Sequence, residues 1–146
     1  MKKIIRFIVL VFLMSSILLA CQQEKQPLDS DKEIKEVTIF ESTEFKKEKS
    51  ELIVSASDTK QSEIFVPVKN ILVDARKQDG VVDMVEPNYY LEMIYEDNTR
   101  KEFHLWLMDV EGGKGSIMET EDTHILYNFS EELNTQLIHL LNSTKD

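Results

Sequence analysis

The chain has 146 residues, with 17 basic against 27 acidic side chains for a net charge of −10, and a single cysteine. That length supports one domain with one core and is too short for two, and one cysteine excludes a disulfide framework. The acid excess disfavours nucleic acid and anionic surfaces as partners and also serves plain solubility.

Residues 1–20, MKKIIRFIVLVFLMSSILLA, place Lys2, Lys3 and Arg6 ahead of an apolar run that ends in small or apolar side chains just before Cys21. This is the layout of a secretory signal. As a permanent span the run falls short, because Arg6, Ser15 and Ser16 interrupt it and about 20 apolar residues are needed to cross about 30 Å of hydrocarbon. Leu18-Leu19-Ala20-Cys21 resembles the lipobox of bacterial lipoproteins, in which the cysteine sulfur is joined to a diacylglycerol and becomes the first residue of the mature protein. The resemblance implies lipidation at Cys21 and a protein held on the outer face of the cell membrane. Two acyl chains, at about 0.8 kcal/mol per buried methylene, anchor stably where one would be marginal. Loss of the leader removes three cations and no acid, taking the net charge from −10 to −13.

Residues 21–33 then read as the lipidated cysteine and a polar, Pro-containing tether, and 34–146 as a single domain. Val37-Thr38-Ile39-Phe40 and Glu51-Leu52-Ile53-Val54 predict two strands. A helix follows, with Asp58 as its cap, Gln61 three residues on, and Ile64, Phe65, Val68, Ile71, Leu72 and Ala75 in one stripe. Gly80 is its natural stop, and Pro67 either kinks it or marks its true start.

Tyr89 to Glu96 and Arg100 to Leu107 alternate as a hairpin about Asp97-Asn98-Thr99, where Asn98 can adopt a left-handed conformation. A three-residue turn sets Met93 against Phe103, Leu91 against Leu105 and Tyr89 against Leu107 on a wholly apolar face. The other face carries Tyr90 opposite Trp106, Glu92 opposite His104 and Ile94 opposite Glu102. Short strands are predicted at Ser116 to Glu119 and Thr123 to Asn128. Ser130 caps a last helix with Glu131 and Glu132 in its first turn and Leu133, Leu137, Leu140 and Leu141 as its apolar stripe. The sum is an α+β fold: a small antiparallel sheet of four to six strands, packed on one face by two amphipathic helices.

Asp79-Gly80-Val81-Val82-Asp83-Met84-Val85-Glu86-Pro87-Asn88-Tyr89, His104-Leu105-Trp106-Leu107, Gly115-Ser116-Ile117-Met118 and Asp122-Thr123-His124-Ile125-Leu126-Tyr127 together resemble the YhfM-like domain of small Bacillus-type lipoproteins, over about Ile53 to Leu141. The resemblance implies a Gram-positive cell envelope and brings no catalytic residues.

Enzyme motifs are not compelling. Gly112-Gly113-Lys114-Gly115-Ser116 differs from a phosphate loop, because glycine follows the lysine and a strand, not a helix, is predicted next. His104, His124 and His139 lack the close ligand pairs of zinc sites, and Glu119, Glu121 and Asp122 lack the pattern of a calcium loop. No metal, cofactor or enzymatic activity is therefore expected. The sharpest candidate is the face bearing Tyr90, Glu92, His104 and Trp106, where aromatics flanking a carboxylate and an imidazole could take a peptide, a glycan, a cationic ligand or another envelope protein. The competing reading is structural, with the aromatics stabilising the sheet or lying beneath a segment such as Gly80 to Pro87. The sequence thus predicts a non-enzymatic binding or sensing module, with an accessory enzyme or an inhibitor of an envelope hydrolase, acting through that same face, as the alternative.

Overall fold

The computed structural model describes residues 28–42, 45, 51–57, 63–80 and 83–144. The leader, Cys21 and the helix cap expected from Asp58 and Gln61 lie outside them.

Among the described residues, seven strands and two helices follow one another: β1 (Ile34–Glu41), β2 (Leu52–Ala56), α1 (Phe65–Asp74), β3 (Arg76–Lys77), β4 (Tyr89–Tyr95), β5 (Arg100–Trp106), β6 (Gly115–Glu119), β7 (Tyr127–Phe129) and α2 (Glu131–Ser143). They form one antiparallel sheet in the order β2-β1-β4-β5-β6-β7-β3. The class is α+β as expected, but the sheet is larger than four to six strands. The added strand is β3, whose two residues pair with β7 at Asn128 and Tyr127. It takes the chain where the helix was expected to run on toward Gly80. The apolar stripe stops at Ala75, which turns to an extended ψ of 129°, and Gln78 then donates its backbone N–H to Leu126.

The stripe itself is as read: Ile64, Phe65, Val68, Ile71, Leu72 and Ala75 are all buried. Pro67 sits in the first turn, where a missing N–H costs little, so it marks the start of α1 and does not kink it. On α2 the buried set is Leu133, Asn134, Leu137 and Leu141, and Leu140 packs half-buried against the same core, so the expected stripe is present with Asn134 added to it. Ser130 has the extended backbone of a cap, yet its hydroxyl makes no cap hydrogen bond. Asp74 acts there instead, its carboxylate accepting the Ser130 N–H at 2.7 Å and tying the end of α1 to the start of α2.

The β4–β5 hairpin keeps the predicted faces but not the predicted register. Tyr89 pairs with Leu105, Leu91 with Phe103 and Met93 with Lys101. The loop is Glu96-Asp97-Asn98, closed by Tyr95 N–H to Thr99 O at 2.9 Å, with Asn98 at φ 62°. Moving the three-residue loop back by one residue shifts every pair by two in sum, and because strand side chains alternate with period two, each keeps its face. Asp97 is held down at about 2 by the Thr99 hydrogen bonds, first the side chain and then the backbone, and by Lys32.

Leu91, Met93, Tyr95, Phe103, Leu105 and Ile117 project from the sheet into the helix layer and form one core with the stripes of α1 and α2. Leu28 joins that core at 1% exposure. Residues 28–33, read as tether, are therefore folded onto the domain. Lys32 pairs with Asp97 at 3.1 Å, and Glu96 N–H reaches the Glu33 carbonyl. A lone leucine in a polar stretch finds room beside Tyr95 and so moves the start of the domain toward Cys21.

Candidate functional site

Tyr90, Glu92, His104 and Trp106 do come together on the sheet face away from the helices, but with different neighbours. Tyr90 lies opposite His104, and Glu92 opposite Glu102. Trp106 is paired on its other side with Ser116, and His104 with Met118. All four residues are buried, none more than 5% exposed.

Their cover comes from three places. The Trp106 indole N–H donates to the Val85 carbonyl at 2.9 Å, which pins the segment before β4 across the ring. Met84, Met118 and Leu126 pack with Trp106 as a second, smaller apolar cluster. Phe45 stands edge-on to His104 at 5.6 Å and tilted to Trp106 at 6.0 Å, while Phe40 of β1 lies 6.3 Å from Tyr90. The face is thus the inner surface of a second core, closed as the structural reading expects.

Its polar atoms follow from that burial. Burial is the first cause that pushes the Tyr90 phenol up, followed by its hydrogen bond to the Glu102 carboxylate. Glu92 is paired with Arg100 at 2.6 Å, and that pair raises the guanidinium further. His104 is held below the usual imidazole range by burial, and its Nδ1 has no hydrogen-bond partner among the described residues. A neutral imidazole boxed between Tyr90, Trp106 and Phe45 acts here as an aromatic packing group.

Two asparagines that the sequence reading passed over shape the same end of the sheet. Asn88 spans Leu107, accepting its N–H at 2.9 Å and donating to its carbonyl at 2.8 Å. Asn134 does the same to Met108 from α2, at 3.0 and 2.9 Å. Each amide stands in for one residue of a neighbouring strand, holding the chain beyond β5 between β4 and the helix. A polar residue inside an otherwise apolar helix stripe was the signal available for Asn134.

The glycine-rich stretch makes a turn. Gly113 N–H bonds to Val110 O, Gly112 takes φ 75°, and strand β6 follows directly. Gly115 has to be small because the Phe129 ring lies against its Cα across the β6–β7 pair. Among the described residues no three His, Cys, Asp or Glu side chains are grouped to hold a metal ion. His124 and His139 are exposed. Of the acidic cluster, Glu119 pairs with Lys101 at 2.9 Å and Asp122 accepts the His124 N–H. A cavity of about 160 Å³ opens between Arg100, Lys101, Glu102, Glu119 and Glu121, lined by charges of both signs.

The sequence matches the family described as YhfM protein over residues 30–146. The chain belongs to that family. The matched span begins within the folded 28–33 segment, in keeping with a domain that starts ahead of β1. No curated protein sequence matches the chain. Among solved structures, the chain is similar to a thioesterase-like protein from Clostridium sporogenes ATCC 15579, with a TM-score of 0.51 and 17% identity over 71% of this chain and 91% of that one. At that identity the likeness is one of fold.

Proposed function

We propose that the protein is an extracytoplasmic lipoprotein, anchored in the outer face of the cell membrane by a diacylglycerol on Cys21, whose domain works as a non-catalytic binding or sensing module. The observation that carries this reading is Leu18-Leu19-Ala20-Cys21 at the end of a basic and apolar leader, with Cys21 the sole thiol of the chain. Two further observations support it. Residues 28–33 fold onto the domain, so the described fold begins seven residues after Cys21, a spacing suited to a protein that works at the membrane surface. The polar groups of the Tyr90 face are also engaged in packing or pairing: Glu92 with Arg100, Tyr90 with Glu102, and Trp106 with Val85.

Fractionating cells that express the wild type and Cys21→Ala tests the anchor. The wild type is expected in detergent extracts of membranes, and the variant as an uncleaved precursor or a released domain. Equal detergent extraction, with cleavage after Ala20 retained in the variant, would refute the lipoprotein reading.

The fold shared with a thioesterase-like protein favours the second reading, an accessory enzyme. Hydrolysis of an acyl thioester needs a base that reaches a water beside the carbonyl, whereas His104 is buried and Glu92 holds Arg100. The non-catalytic reading therefore predicts no turnover of a chromogenic acyl thioester by the purified protein. Turnover abolished by His104→Ala or Glu92→Gln, in variants that still melt cooperatively, would reverse the choice.

A further inference from the structure

The Tyr90 face is closed to ligands, but the helix layer is not. A groove of about 380 Å³ runs between α1 and α2, a volume within the range of small-molecule sites, about 300–1,000 Å³. Each helix lines it with a pair of polar residues four apart, Asn70 with Asp74 on α1 and Glu132 with Gln136 on α2. Val73 and Leu133, each next to one of these in the chain, supply the apolar part of the lining, and Val73 is 45% exposed.

The polar groups of the groove are only partly spent on the fold. Asp74 takes the Ser130 N–H at 2.7 Å, a tie that joins the two helix ends without filling the space beside it. Ser130, also in the lining, keeps its hydroxyl out of the cap, and the Asn70 side chain makes no hydrogen bond among the described residues. Gln136 reaches Glu132 at 3.4 Å, a long bond that exchanges readily for a ligand. Arg76 closes the lining at the start of β3. Its Nη1 donates to the Val73 and Ala75 carbonyls, which fixes the guanidinium and leaves its other N–H groups open among the described residues. The groove therefore offers donors and acceptors together, from two amides, a hydroxyl, a guanidinium and a carboxylate, beside an apolar patch.

We infer that this groove is a binding site for a neutral sugar, one or two rings of an envelope glycan. Ring hydroxyls donate and accept at once and so match the mixed lining, while the C–H face of a pyranose suits Val73 and Leu133. Charge disfavours other small ligands. Two acids against one base repel an anion such as phosphate, and a fixed guanidinium repels an amine while Asp74 is engaged with Ser130. No three metal-ligating side chains are grouped among the described residues. A peptide that adds as a strand needs a long open edge, and β3 has two residues. The inference names a ligand class for the binding module and rests on the anchored reading for the source of the sugar. Phe129 pairs with Gly115 and Ser116 with Trp106, which puts Ser130 at the end of the sheet opposite the 96–98 turn. Residues 32 and 33 are fixed at that turn, so an anchor that pulls through them leaves the groove at the end turned toward the envelope.

Full-length lipidated protein, in a detergent without a sugar headgroup, is titrated by calorimetry with N,N′-diacetylchitobiose and with cellobiose. Saturable binding of at least one is expected, with a Kd of about 1 mM or tighter, and added salt leaves it unchanged because no ion pair forms. Asn70→Ala/Gln136→Ala should weaken it at least tenfold, and Thr135→Ala, exposed on α2 outside the groove, should not. Val73→Lys, at an exposed position of the lining, gives a second loss that decides the matter if the double variant melts early. Glu132→Gln keeps a hydrogen-bonding side chain and keeps the affinity. No saturation by about 10 mM, equal loss from Thr135→Ala, affinity undiminished in both the double variant and Val73→Lys, or binding of phosphate or trialanine in place of sugar would each overturn the site. Mass spectrometry of the same preparation reads the lipid on Cys21 separately: a lipidated protein that takes no sugar overturns this inference and leaves the anchor standing, and an unlipidated protein overturns the anchor and the envelope source.

Discussion

Trp106→Ala is the perturbation that most sharply separates a second core from a binding patch. An aromatic side chain of this size buries roughly 150–250 Å², which at about 25 cal/mol per Å² is about 4–6 kcal/mol before any relaxation. Met84 and the 83–87 segment lie at the edge of the fold and can sink into the space left behind, so the lower range for Trp truncation, about 3–5 kcal/mol, is expected. The N–H to Val85 bond adds little to this, since Val85 is exposed and water can satisfy the freed carbonyl. For a domain slightly larger than 100 residues, about 4 °C per kcal/mol converts the loss to a fall of roughly 12–20 °C in Tm. Trp106→Phe keeps a ring over Met118 and Leu126 and should lose less than half as much. Thermal melting by circular dichroism, with wild type and both variants under one buffer, reads the difference. A fall of under about 3 °C for Trp106→Ala would refute the argument, because a side chain that contributes so little is not packed under a lid.

Other substitutions probe different parts of the same account. Tyr95 is fully buried with no partner for its hydroxyl among the described residues, so Tyr95→Phe should leave Tm unchanged or raise it, and a clear fall in melting would reveal a hydroxyl partner. Gly115→Ala places a methyl against the Phe129 ring and should cost about 1–3 kcal/mol by overpacking; a wild-type urea midpoint would show that the β6–β7 pair yields easily. Because burial lowers the folded-state pKa of His104, the unfolded chain takes up the proton first as pH falls. Stability from this residue is therefore complete above about 6.5 and is lost on acidification below it, and His104→Leu should flatten that part of the profile. An unchanged acid limb in the variant would remove His104 as its cause.

Much of this architecture is legible in the sequence because period is a physical property of the elements. Alternation in Tyr89 to Glu96 and Arg100 to Leu107 assigns each side chain to its face whatever the register, so the Tyr90 and Trp106 face survives a shift of pairing. The shift itself was not legible. Asn98 in a left-handed conformation suits a loop of residues 96–98 as well as one of 97–99, and tertiary pairing of Ile34 with Tyr95 extends β4 to the earlier closure. The Ile64 to Ala75 stripe identifies α1, yet nothing local announces that Arg76 and Lys77 leave the helix to become an edge strand. That depends on a partner, β7, some fifty residues away.

The candidate site was legible as a cluster but not as a surface. Which residues share a face is a property of the strand, while what covers the face is decided by the 83–87 segment and Phe45, whose positions come from the whole fold. Asn88 and Asn134 escaped notice for a related reason: an amide that bridges a distant backbone looks in sequence like any polar residue. Leu28 is the clearest case of all, a single apolar side chain in a polar run, where no periodicity could mark it as core.

The central claim is the lipid on Cys21, and the most direct measurement is mass spectrometry of the N-terminal peptide of the mature protein isolated from membranes of the expressing cell. The account predicts a peptide that begins at Cys21, continues Gln22-Gln23-Glu24, and carries the mass of a diacylglycerol on its sulfur. A peptide with a free Cys21 thiol, or one still joined to Ala20, would contradict it.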